Sequence, residues 1–82
     1  MSAAGDRWMA KVRALPCITC GVSAPSSVHH IRTERIKNDF LVIPLCPGCH
    51  QSDFSIHNSK EQFTNIFGSE LHLLAKTIEA LD

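Results

Sequence analysis

Leu45-Cys46-Pro47-Gly48-Cys49-His50 is the segment on which the fold turns, because Cys46 and Cys49 repeat the spacing of Cys17-Ile18-Thr19-Cys20. Each pair is a C-x2-C motif. Two thiolates three positions apart on a tight turn can both reach a metal about 2.3 Å away, and two such knuckles complete a tetrahedron. Cys17, Cys20, Cys46 and Cys49 are therefore predicted to hold a structural Zn²⁺. Gly21 follows the first pair and Gly48 sits inside the second, where the backbone must turn sharply. Pro16 and Pro47 stiffen those turns. Two disulfides, or four free buried thiols, are the competing readings.

Composition bears on that choice. The chain has 82 residues, room for one small domain, and 44% of them are apolar, which suits a globular protein. A core of this size rarely supplies more than roughly 3–5 kcal/mol, so a staple is expected. Eight basic residues balance eight acidic ones, which argues against binding through bulk positive charge and leaves room for a local basic face. No apolar run approaches the roughly 20 residues of a membrane span, so no membrane partner is expected. Met1 to Asp6 carry no signal-peptide core. The expected location is cytoplasmic. There four cysteines suit zinc better than disulfides.

Four of the five histidines, His29, His30, His50 and His57, cluster around the knuckles. A site already filled by four thiolates needs none of them. Gathered around a second metal they would have a purpose, since neutral imidazole is a common ligand of divalent ions. His29 and His30 are adjacent, and on a strand they point to opposite sides. One ring on the metal and the other free to act as a base is the natural division. His72 lies in a helical pattern away from the cluster and reads as structural or exposed.

A helix is predicted over 6–15, where Trp8, Met9, Val12 and Leu15 fall at helical spacing, with Asp6 as its cap and Pro16 past its end. Residues 21–27 read as a loop and 28–31 as a strand. Residues 32–38 form a polar loop. Phe40 to Ile43 form a second strand ending at Pro44, and a helix bearing His50 follows Cys49. Residues 59–67 read as a helix with Ser59 and Gln62 as a capping box and Gly68 as its stop. Ser69 caps a last helix whose core stripe is Leu71, Leu74, Ile78 and Leu81. The expected class is α+β: one domain over 1–82, with an N-terminal helix, a zinc-stapled ββα-metal core over 16–57 and C-terminal helices over 59–82.

Cys17-x2-Cys20, His29-His30-Ile31 and Leu45-Cys46-x2-Cys49-His50 together resemble the HNH endonucleases that carry a structural zinc. With Arg32, Asp39, Ile43-Pro44, Ile56-His57, Phe63, Phe67 and Gly68, the chain looks most like the phage-borne, recombination-enhancing (Ref-like) branch. The resemblance covers about residues 14–75. It implies that His29 and His50 ligate a catalytic divalent ion (Mg²⁺, Mn²⁺, Zn²⁺ or Ni²⁺) and that His30 is the general base. Asp39 would take the central role usually held by asparagine, with Asn38 as the alternative. The third ligand would be His57, or else Asp53. On a straight helix His50 and His57 would lie about 10 Å apart along the axis. His57 therefore requires a break in the helix near 52–55.

The activity implied is metal-dependent hydrolysis of DNA phosphodiester bonds with weak sequence preference. Arg32, Arg35 and Lys37 would contact phosphates, joined by Lys11 and Arg13 of the first helix. A recombination or phage-encoded protein is the implied partner besides DNA. A zinc-stabilised nucleic-acid-binding or adaptor module without cleavage activity is the alternative, and a zinc knuckle in a phage assembly protein is a third.

Overall fold

A computed structural model describes residues 3–32, 37–51 and 55–82. The chain runs α1 (Ala3–Arg13), β1 (Ser27–His30), β2 (Val42–Leu45), α2 (Pro47–Gln51), α3 (Lys60–Phe67) and α4 (Glu70–Leu81), which is the expected α+β class. The two strands pair antiparallel, with Ser27 opposite Leu45, Val28 opposite Pro44, His29 opposite Ile43 and His30 opposite Val42. All four residues of β2 are buried, because α1 and α4 both pack against it.

Pro44 lies inside β2, where the sequence placed it just past the strand's end. Both strands of a two-stranded sheet are edges, and proline is tolerated there because no ladder donor is required. Its carbonyl is used: the Ile18 amide donates to Pro44 O at 2.9 Å and seats the first cysteine knuckle on the sheet. Phe40 is left outside the strand and exposed.

The helix ends explain further departures. Asp6 is inside the first turn of α1 rather than its cap. At the other end of α1, Ser26 takes up the orphaned carbonyls. Its amide donates to Arg13 O at 2.9 Å and its hydroxyl to Leu15 O at 2.7 Å. The second knuckle starts α2 earlier than expected, with Pro47 at the first helical position that proline favours. Ser59 makes no side-chain cap on α3, so the predicted capping box does not form. The buried Ser55 caps the preceding turn instead, its Oγ accepting from the Asn58 amide at 3.2 Å. Ser69 does cap α4 as predicted, accepting from the His72 amide at 3.1 Å.

The apolar stripe of α4 is turned relative to the prediction. Leu73, Leu74 and Thr77 are buried, whereas Leu71 is 62% and Ile78 49% exposed. The inner face thus runs Glu70, Leu73, Leu74, Thr77, Leu81, and Thr77 satisfies its hydroxyl on Leu73 O at 2.9 Å. This face joins a core of Ile31, Ile43, Leu45, Ile56 and Phe63 into which Cys17 and Cys46 also pack. Among the described residues no helix is long and apolar enough to cross a membrane.

Candidate functional site

The two knuckles meet. The sulfurs of Cys17, Cys20, Cys46 and Cys49 all lie within 4.8 Å of one another, and no cysteine is in a disulfide. Cys20 Sγ and Cys46 Sγ are 3.6 Å apart, close to the roughly 3.8 Å edge of a tetrahedron with 2.3 Å metal–sulfur bonds. The first knuckle is turned by the Gly21 amide donating to Cys17 O at 3.0 Å, with Gly21 at φ 76. In the second, the Cys49 amide points at Cys46 Sγ, 3.4 Å away.

The donor set fits a cation. Burial opposes ionisation of Cys17, but the backbone of Cys20, the Thr19 hydroxyl at 3.2 Å and the backbones of Cys46 and Thr19 outweigh it and hold the thiol down at about 6. Burial pushes Cys49 up to about 12, and the neighbouring Cys46 thiol and the Cys17 charge add to this, although the Thr19 hydroxyl works against it. Four sulfurs so crowded cannot all carry charge unless a cation shares the space. The cluster is thus compatible with a structural metal such as zinc.

Beside it stands a second cluster. His29 comes from β1, His50 from α2 and His57 from the turn before α3. One ring nitrogen of each lies within 4.8 Å of the others. Ring centroids are 5.3 Å apart for His29 and His50, 5.0 Å for His29 and His57, and 4.6 Å for His50 and His57. The break in the helix expected near 52–55 falls largely on residues 52–54, outside the described residues; from Ser55 onward the chain lies against the second knuckle, with His57 in the cluster. The return is pinned by the Ile56 amide donating to Cys49 O at 2.9 Å and by the burial of Ile56 in the core. The second knuckle therefore sets both His50, its chain neighbour, and His57. Burial lowers His29, against the pull of Glu70, and burial lowers His50, helped by the neighbouring rings. Both are held neutral near pH 7, the form that ligates metal.

His30 has a different partner from His29 and is outside the converging trio. Its Nε2–H donates to Asp39 Oδ1 at 3.0 Å, with the two side chains 19% and 17% exposed. Asn38 is committed elsewhere: its Oδ1 accepts from the Phe40 amide at 2.9 Å and its carbonyl from Leu41 at 3.0 Å. Of the two candidates for the central position, Asp39 is the one joined to His30.

Two clefts open over these rings. One of about 240 Å³ is lined by His29, His30, Arg32, Ile56, His57, Lys60 and Glu70. The other, of about 180 Å³, is lined by Val28, His29, His30, Arg32, Lys37, His50 and His57. Arg32 lines both clefts and Lys37 the second. Lys11 and Arg13 line neither cleft. Arg35 and Asp53 lie outside the described residues. His72 is exposed and away from the cluster, as read from sequence.

Glu70 and Lys60 were not anticipated. Glu70 Oε2 lies 2.8 Å from His29 Nε2, and its Oε1 lies 3.0 Å from Lys60 Nζ. Burial would raise the Glu70 carboxyl, but the hydrogen bonds from His29 and Lys60 prevail and hold it below the usual carboxylate range. The only local signal was helical spacing: Glu70 falls on the face of Leu73, Leu74 and Thr77, which a stripe drawn through Leu71 turns outward. Residues 2–81 match a family described as "Protein of unknown function (DUF968)". No curated protein matches the chain.

Proposed function

Since the chain belongs to the DUF968 family, whose description assigns no activity, we propose from the site that it is a metal-dependent endonuclease of the HNH type that hydrolyses DNA phosphodiester bonds. The phage or prophage origin implied by the Ref-like resemblance belongs to the same proposal. One observation carries the reading: three imidazoles converge while the next residue along β1, His30, is tethered to a carboxylate of its own and lines the same clefts. A metal-binding module without chemistry has no use for that fourth ring.

In this reading Cys17, Cys20, Cys46 and Cys49 hold a structural Zn²⁺, and His29, His50 and His57 hold a second divalent ion. That ion supplies Lewis-acid stabilisation of the charge that develops on the scissile phosphate. His30 is the general base. With Nε2–H given to Asp39, its free lone pair is on Nδ1, which takes the proton of the attacking water. Asp39 then faces the imidazolium so formed and steadies its charge. Arg32 and Lys37 contact phosphates on either side, so affinity falls as salt rises.

The test is nicking of supercoiled plasmid with Mg²⁺, Mn²⁺ or Zn²⁺. Wild type should convert the substrate, and His30→Ala should be about 10²–10⁴-fold slower with both metals still bound. Equal rates would remove His30 from the chemistry. Plasmid binding without nicking by wild type would favour the non-cleaving module.

A further inference from the structure

Consecutive histidines on β1 each meet a carboxylate of their own. His30 meets Asp39 in the β1–β2 connection, and His29 meets Glu70 on α4. The second pair is the more enclosed on the histidine side, with the His29 side chain 8% and Glu70 19% exposed. Glu70 is also held at both ends. Oε2 meets His29 Nε2 at 2.8 Å, and Oε1 meets the Lys60 ammonium at 3.0 Å. Glu70 is outside the trio whose ligand atoms converge. A carboxylate can only accept, so the hydrogen on this bond belongs to His29 Nε2. A neutral imidazole carries one N–H, and the lone pair of His29 is therefore on Nδ1.

We propose that Glu70 is a positioning residue of the histidine centre: it locks His29 in the Nε2–H tautomer, fixes the ring's rotation and so makes Nδ1 the atom offered to the metal. The inference rests on reading His29, His50 and His57 as a metal centre. It adds an outer carboxylate, delivered by the helix whose turned face was not foreseen, and Lys60 as the cation that holds that carboxylate in place. Partners of this kind set the tautomer and the orientation of a ligating imidazole, and losing one typically costs 10–100-fold in metal affinity.

Two measurements on the full chain loaded with one equivalent of zinc test it. The first is long-range ¹H–¹⁵N correlation on histidine-labelled wild type, which reports the tautomer of each ring without any metal at the histidines. His29 should show a protonated Nε2 and an unprotonated Nδ1, and the opposite tautomer would overturn the proposal. The second is a Co²⁺ titration followed by visible absorption in wild type, Glu70→Gln and His29→Ala, with circular dichroism as the check on folding. Glu70→Gln should bind Co²⁺ about 10–100-fold more weakly with unchanged band positions. Affinity within threefold of wild type would overturn a positioning role. Shifted bands would make Glu70 a direct ligand and overturn it equally. If wild type takes up no Co²⁺ at the histidines, the metal-centre reading fails, while the tautomer spectrum still decides the assignment of Glu70.

Discussion

Removing zinc from the cysteine cluster should unfold the whole domain, and the structure says how large the effect must be. The segment between α1 and β1, which carries Cys17 and Cys20, contains no helix or strand. Ordering each of its residues costs about 1–2 kcal/mol of backbone entropy, on the order of 10 kcal/mol or more for the segment. Structural zinc contributes roughly 10–16 kcal/mol of apparent free energy at neutral pH, of the same order as that cost. A core this small has only about 3–5 kcal/mol to spare. The sheet cannot make up the difference, because four paired positions in two strands are marginal on their own. Detachment would spread, since Ile18 is bonded to Pro44 of β2 and Ile56 to Cys49. The assay is far-UV circular dichroism during titration with a strong chelator, with bound metal counted by mass spectrometry. It is best done in His29→Ala, so that only the thiolate site is in play. We expect helical signal to be lost as zinc leaves and restored by one equivalent of Zn²⁺, and Cys49→Ser to behave like the chelated protein. A native spectrum with the metal demonstrably gone would refute the reasoning.

Other outcomes follow from the same structure. Leu73→Ala should cost about 2–5 kcal/mol in urea unfolding, because Leu73 is buried in the core, whereas Leu71→Ala should stay within about 0.5 kcal/mol. The reverse order would restore the stripe first drawn on α4. Gly68→Ala should destabilise by about 1–3 kcal/mol in thermal melts, since φ 100 with ψ 175 is a region open essentially to glycine alone and a new Cβ would meet the His72 ring. Acid should weaken the fold through His29 and His50. Their folded pKa values lie below the ordinary 6.5, so the unfolded chain binds more protons, and the contribution is whole above pH 6.5 and declines as pH falls through the folded values. At constant zinc, melting temperature should therefore drop less between pH 7.5 and 5.5 in His29→Gln than in wild type, and parallel profiles would contradict this.

Local chain geometry carries further in sequence than helix orientation does. The thiolate cluster could be read directly, because a C-x2-C turn brings its own two sulfurs together and only one long-range meeting had to be supposed. The division of His29 and His30 between different partners agrees with what strand alternation suggests. The preference for Ser69 as a cap is equally local and is realised. His57 sits at the limit of such reasoning. Spacing on a straight helix spoke against it, and it joins the cluster because Ile56 is drawn into the core and its amide is tied to Cys49 O.

Composition and spacing alone therefore pointed to an α+β chain with Cys17, Cys20, Cys46 and Cys49 gathered in one cluster and a surplus of imidazoles beside it. Docking settled what spacing could not. Hydropathy favours Leu71 and Ile78 over Glu70 and Thr77 as inward positions, yet the inner face of α4 is the one carrying Glu70 and Thr77. Thr77 can be buried because its hydroxyl finds Leu73 O, and Glu70 can turn inward, half-buried, because His29 and Lys60 satisfy both of its oxygens. The partners of Glu70 lie on other elements, His29 on β1 and Lys60 on α3, and a polar group turned inward is tolerated only when its partners are in place. No periodicity within one helix can announce them.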